Sequence, residues 1–362
     1  MALSGPMVNL FQKKFAQINN TGPPFASKHP EYPLKIMKRT CAVPLWFSLA
    51  VCLLLLPGLY SLAQDRQEGD RIPPGTQSQK NEPTFRVNVR LVNVFTTVTD
   101  SRGAPVANLT KDDFRLMEDG IPQEIRIFEK ESAMPLSIAL GIDTSESTRR
   151  EVALEMTSAR KFVHSILRPV DHLSLFQISE NIDQLTEFTS DMKSIERGIN
   201  HLTAGAGTSL YDAIFLCSGA LLDRDGRKVL LLITDGGDTT SSTNYNNALR
   251  RAQQAEAIVY SIIVVPVQAD AGRNIGGEHA LIQISKDTGG KYYYAESGEQ
   301  LDDAFRKISE ELRTQYLLAF YPNRKVADSP FRRIQVELMK KDPEGHAYQV
   351  RHRAGYYTSP AK

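Results

Sequence analysis

Five oxygen-bearing side chains in three separate segments could do chemistry together. Asp143, Ser145 and Ser147 stand in Asp143-Thr144-Ser145-Glu146-Ser147, Thr208 follows the Gly205-Ala206-Gly207 turn, and Asp235 opens Asp235-Gly236-Gly237-Asp238. Two carboxylates and three hydroxyls are hard donors, suited to a small divalent cation such as Mg²⁺ or Mn²⁺. Each of these residues alone reads as a helix cap at a strand-to-helix turn. Taken together they predict an incomplete metal site, open to an acidic group from a partner.

The elements that must position them alternate between strand and helix. A continuous apolar run over 136–142 predicts a strand with both faces covered. A helix over about 148–167 follows, stopped by Pro169, and then a strand pair at 173–178 and 184–188. Helices at 192–202 and 210–222 lead to the most apolar strand, 229–233. A helix at 248–257, a strand at 258–265, a helix at 280–288, a short strand at 291–294 and a helix ending near 313 complete the series. The fold class is α/β: a doubly wound, mainly parallel sheet with helices on both faces. Ligands of such sheets bind outside the carboxyl ends of the strands, where strand order reverses. Asp143 and Asp235 each follow a strand at once, and Thr208 lies on a loop entering a helix, so one sheet edge can collect all three segments.

The flanks read as β. Residues 84–131 hold a long strand over 85–99 and shorter ones near 114–118 and 124–128; residues 315–357 hold strands at 316–321, 332–338 and 348–352. Neither stretch is large enough to bury a good sheet alone. Together they predict a β-sandwich-like flanking domain into which residues 134–314 are inserted; two separate β appendages are the alternative. At the other end, Met37-Lys38-Arg39 precedes an apolar run over 43–62 that closes on Ser61-Leu62-Ala63. That is the form of a secretory signal cleaved after Ala63, or of an uncleaved anchor, since the run is nearly long enough to span a bilayer. Residues 1–63 are therefore an N-terminal extension with a signal or anchor, with Met37 as an alternative start, and 64–83 a polar, Pro-containing linker. Either way the rest of the chain is extracytoplasmic: periplasmic, secreted or at the cell surface.

Composition narrows the function. The 362 residues carry 43 basic and 42 acidic side chains, a net charge of +1 that offers nothing to nucleic acid. Of the three cysteines, Cys41 and Cys52 lie in the apolar run, so Cys217 cannot form an internal disulfide in a processed chain. The seven histidines show no ligand spacing. The 205–208 turn lacks the Gly-Lys-Ser/Thr of a P-loop, and no Gly-x-Ser-x-Gly elbow occurs. An enzyme is not expected, because only Asp235 or Asp212 could serve as a base beside a metal-activated water.

Gly141-Ile142-Asp143-Thr144-Ser145-Glu146-Ser147, Gly207-Thr208-Ser209-Leu210-Tyr211-Asp212 and Ile233-Thr234-Asp235-Gly236-Gly237-Asp238 resemble the von Willebrand factor A-type domain and its metal-ion-dependent adhesion site. The resemblance covers about 134–314. Residues 94–123 and 315–357 look like a bacterial, secreted branch of such proteins, of the type common in acidobacteria. The resemblance implies a Rossmann-like fold in which Ser145, Ser147 and Thr208 coordinate Mg²⁺ (or Mn²⁺) directly, with Asp143 and Asp235 close by, often through water. It places Asp212 and Asp238 outside the ligand positions. It further implies capture of a protein ligand presenting Asp or Glu, with specificity from loops 179–183, 204–211 and 236–246, and a last helix, 298–313, that can shift. An envelope assembly scaffold with a non-essential metal site is the alternative, and a metal-dependent hydrolase a more distant one.

Overall fold

The structure is a computed structural model that describes residues 91–130, 133–145, 152–265, 274–323, 330–341 and 344–358. The chain divides after Lys80, and every described residue belongs to the second compact unit, Asn81–Lys362. Ser147 and the readings on residues 1–90, including the signal or anchor at 43–62, lie outside the described residues.

Four strands come first: β1 (Val92–Thr99), β2 (Phe114–Glu118), β3 (Ile121–Gln123) and β4 (Ile127–Lys130). The α/β domain follows, with β5 (Leu136–Asp143), α1 (Val152–Ile166), β6 (His172–Ile178), β7 (Ile182–Thr189), α2 (Met192–Asn200), α3 (Leu210–Leu221) and β8 (Arg227–Thr234). It continues through α4 (Tyr245–Gln254), β9 (Ile258–Val264), α5 (Ile275–Asp287), β10 (Tyr292–Ala295) and α6 (Gly298–Thr314). The last strands are β11 (Tyr316–Phe320), β12 (Phe331–Leu338), β13 (Gln349–Arg351) and β14 (Gly355–Tyr357).

The central sheet runs β10-β9-β8-β5-β6-β7, parallel except for β7, which pairs antiparallel with β6. All eight residues of β5 are buried, because both faces are covered. On one face Ile138, Leu140, Leu231 and Ile233 meet Phe162 of α1, Ile195 of α2 and Phe305 and Ile308 of α6. On the other, Ala139, Leu230, Leu232 and Ile263 meet Leu210 and Ile214 of α3, Ala248 of α4 and Leu281 of α5. Each large apolar side chain so buried contributes about 1.5–3 kcal/mol. Cys217 is fully buried in this second layer and burial pushes its thiol up. From β5 the chain crosses to β6 on one side; from β8 it crosses to β9 on the other. The carboxyl ends of β5 and β8 thus flank the topological switch point.

The flanking strands form two four-stranded sheets, β13-β1-β11-β4 and β14-β12-β2-β3. Val94, Tyr316 and Leu318 from the first sheet and Leu116, Ile334 and Val336 from the second share one core, which makes a β-sandwich. β1 pairs with β11, and β2 with β12, so chain from before and after the α/β domain meets within each sheet. β14 is an addition to the strands expected from sequence. It approaches β12 closely because Gly355 has no side chain: a Cβ there would lie 2.1 Å from Arg332 O.

The segment 351–354 seams the sandwich to the α/β domain. Ala354 N donates to Asp287 O (2.8 Å) and Arg351 Nη1 to Gly290 O (3.1 Å). Within it, Val336 N donates to His352 Nε2 at 3.1 Å, while His352 Nδ1 stands 2.8 Å from Arg353 O and so carries the ring proton. Burial, with Arg353 nearby, holds this imidazole below the ordinary histidine value. A depressed pKa means the unfolded chain binds the extra proton first, so stability is lost as pH falls below about 6.5. An NMR titration should find His352 neutral, in the Nδ1–H tautomer, down to below that value; a midpoint at or above it would contradict this bonding.

Candidate metal centre

Asp143 is the last residue of β5 and Thr234 the last of β8. Ile142 is in register with Ile233, so these neighbours end side by side at the switch point. Asp143 is fully buried. Its Oδ1 accepts from Ser145 N (2.9 Å) and its Oδ2 from the Thr234 hydroxyl (2.7 Å); the Ser145 hydroxyl bonds it as well. Burial pushes the carboxyl up to about 6, the hydrogen bonds oppose this, and the like charge of Asp235 adds to it. Ser145 is itself buried.

Asp235 sits one residue beyond β8. Its Oδ1 accepts from Gly237 N at 2.8 Å. A Cβ on Gly237 would lie 3.1 Å from that oxygen and 3.9 Å from Thr208 Oγ1, which places Thr208 and Asp235 around one point that glycine leaves open. Thr208 is held by its backbone: Thr239 N and Thr240 N donate to its carbonyl at 2.8 and 3.1 Å, and its own N–H donates to Thr239 Oγ1 at 3.0 Å. The turn before it is fixed too. Gly205 N donates to Thr144 O (2.8 Å), while Ala206 N and Gly207 N donate to Glu180 Oε2 at 2.8 and 3.2 Å. Those backbone donors hold the Glu180 carboxyl below its usual range.

The structure therefore brings together Asp143, Ser145, Thr208 and Asp235; Ser147 is the one proposed donor outside the described residues. Asp238 and Asp212 bind backbone instead. Asp238 Oδ1 accepts from Leu210 N (2.9 Å), at the start of α3, and Asp212 accepts from Ser242 N and Thr243 N at 2.8 and 2.7 Å. With both its oxygens so occupied, Asp212 is placed as a loop staple. Glu180, Thr239 and Thr234 were not singled out by sequence, because each acts through a partner distant along the chain.

Two carboxylates of like charge beside clustered hydroxyls fit a divalent cation, which would relieve the buried charge on Asp143. Among the described residues no group of three or more His, Cys, Asp or Glu side chains could hold a metal, so hydroxyl donors are integral to such a site here. Ser145 and Thr208 would hold the ion, and Asp143 and Asp235 would supply charge beside them.

Solved structures similar to this chain include three from bacteria. BatB, a conserved hypothetical protein from Bacteroides thetaiotaomicron, shares 16% identity at a TM-score of 0.40, over 49% of this chain and 100% of its own. A von Willebrand factor type A protein from Catenulispora acidiphila shares 11% at 0.43, over 68% and 73%. The vWF domain of the type V pili tip protein Mfa5 from Porphyromonas gingivalis shares 13% at 0.41, over 55% and 100%. No curated protein matches. The family model for the von Willebrand factor type A domain matches residues 138–238, a span that holds all three donor segments. Residues 138–238, which include β5, β8 and the switch point between them, are thus similar to a von Willebrand factor type A domain.

Proposed function

We propose that this chain is an extracytoplasmic protein-binding module that holds Mg²⁺ or Mn²⁺ at the carboxyl edge of its sheet and captures an Asp or Glu of a protein partner through that ion. One observation carries the reading: a fully buried carboxylate, Asp143, is fixed by Thr234 and Ser145 next to a second carboxylate, with the Thr208 hydroxyl at the same opening. Neutral hydroxyl donors leave a dication with net positive charge. Mg²⁺ also keeps several waters, one of which a carboxylate can displace. Loops 204–211 and 236–246 surround the site and are laced together by Ser209 and Thr240 (2.7 Å between hydroxyls), so they form a stable rim for a partner. The extracytoplasmic placement rests on the basic and apolar segments at 37–63.

Thermal melts with Mg²⁺ and Mn²⁺ test this directly. Metal at one hundred times its Kd should stabilise the protein by about 2.7 kcal/mol, with a matching rise in Tm. With Mn²⁺ bound, acetate or an Asp-containing peptide should lower the water relaxivity by displacing a coordinated water, whereas the Asn peptide should not. An unchanged Tm at millimolar metal would refute the reading. Metal binding without carboxylate displacement would leave a structural ion and favour the scaffold.

A further inference from the structure

We infer that Thr234, which lies outside the five-residue donor set, is the positioning residue of this centre: one hydroxyl fixes Asp143 and aims Asp235 at the same time. This rests on the metal reading above. The Thr234 hydroxyl has one proton and two lone pairs. Gly236 N donates into it at 3.0 Å, and its own proton goes to Asp143 Oδ2 at 2.7 Å. Thr234 is fully buried, so water does not substitute for either bond.

Both bonds bear on the site. The first joins the ends of β5 and β8 across the switch point. Because Asp143 Oδ1 is already bonded to Ser145 N, it fixes both oxygens of that carboxylate and with them the Ser145 backbone. The second sets the turn that follows Asp235. Gly236 has φ +84° and is wedged against the start of α5, where a Cβ on Gly277 would lie 1.6 Å from Gly236 O. That turn presents Gly237 N to Asp235 Oδ1 at 2.8 Å, leaving the second carboxylate oxygen directed away from this bond. A β-branched side chain suits the task, since its χ1 is stiff and holds the hydroxyl between its two partners.

Thr234→Val keeps the shape and removes the hydroxyl; Thr234→Ser keeps the hydroxyl. Free Mn²⁺ in titrations of the full chain, read by electron paramagnetic resonance, separates them. Thr234→Val should weaken Mn²⁺ binding about tenfold to a hundredfold, with an unchanged circular dichroism spectrum, and Thr234→Ser should stay within about threefold of the parent. Parent protein that fails to bind Mn²⁺ overturns the metal reading itself. Parent that binds while Thr234→Val binds equally well overturns only the role of Thr234, as does a Thr234→Ser as weak as Thr234→Val. Should Thr234→Val not fold, hydrogen exchange in the parent decides. Mg²⁺ should raise protection of the Ser145 and Gly236 amides together and leave Gly103, in a remote turn, unchanged; no change at Gly236 overturns the inference.

Discussion

Asp143→Ala should abolish the metal-dependent rise in Tm, whereas Asp143→Asn should abolish it while leaving the metal-free protein at least as stable as the parent at neutral pH. The reason is the state of the carboxylate. Buried between strand ends and facing Asp235, it is pushed up from 3.8 to about 6. A folded pKa above the unfolded one means the native state binds the proton more tightly. Stability is then fully present below pH 3.8 and is lost as pH rises through about 6. The shift of about two units corresponds to about 3 kcal/mol, so above that pH the ionised group burdens the metal-free fold. A dication removes the burden. Hence the Tm gain from Mg²⁺ should grow between pH 5 and 7, and fluorescence-monitored melts across that range should show it. A gain that is flat or shrinks with pH, or an Asp143→Asn protein that still responds to metal, would refute this account. His352 works in the opposite direction, losing stability toward acid, so the comparison must be between metal and chelator at each pH.

The parts of this site that were legible in sequence are those that depend on local pattern. The strands expected at 136–142 and 229–233 are β5 and β8, because doubly covered strands leave unbroken apolar runs. The boundaries shift outward: β8 runs from Arg227 to Thr234, and Asp143 belongs to β5, in register with Ile178. The strand pair expected at 173–178 and 184–188 is β6 and β7, with irregular register near Leu175. The start of α5 was hidden. The expected helix at 280–288 begins instead at Ile275, behind Gly276-Gly277, residues that weaken a helical pattern. Gly277 is there for contact with Gly236, and Asn274 caps the turn through Gly277 N at 3.0 Å. Likewise α4 begins at Tyr245 rather than 248, capped by Asn244 on Asn247 N. Thr234 reads in sequence as one more β-former ending a strand. Only the meeting of β5 with β8 shows its hydroxyl between Asp143 and Gly236. Oxygen-rich residues at strand ends were visible one by one; the bonds that aim them join segments far apart in the chain.

Glu311→Ala should lower stability by about 3–5 kcal/mol, the range for stranding one member of a buried ion pair. Glu311 lies on α6 and is 3% exposed. Its Oε1 is 2.7 Å from Arg351 Nη2 of β13 and accepts from Tyr293 OH at 3.1 Å, with Lys291 Nζ at 3.7 Å. Burial pulls the Arg351 guanidinium down, yet Glu311 outweighs it and the group is held above its ordinary value. Burial and Glu311 together raise the phenols of Tyr260 and Tyr293. The neighbouring turn is fixed as firmly. Gln315 alone separates α6 from β11, and its Nε2 donates to Thr97 Oγ1 of β1 at 3.2 Å. Arg227, buried and pulled down to about 10 by burial, donates to Leu312 O. The end of the last helix is thus tied both to the sheet and to the sandwich. An axial step of one helical turn, about 5.4 Å, would break the Glu311–Arg351 pair or draw β11 along its neighbours. Denaturant melts of Glu311→Ala, Arg351→Ala and the double variant form the cycle that isolates the pair. The double variant should be less destabilised than the sum of the singles by more than about 1 kcal/mol, since removing both charges strands neither. Additive losses, or a Glu311→Ala loss below about 1 kcal/mol, would mean that the sandwich holds α6 through the short Gln315 connection rather than through this buried charge pair.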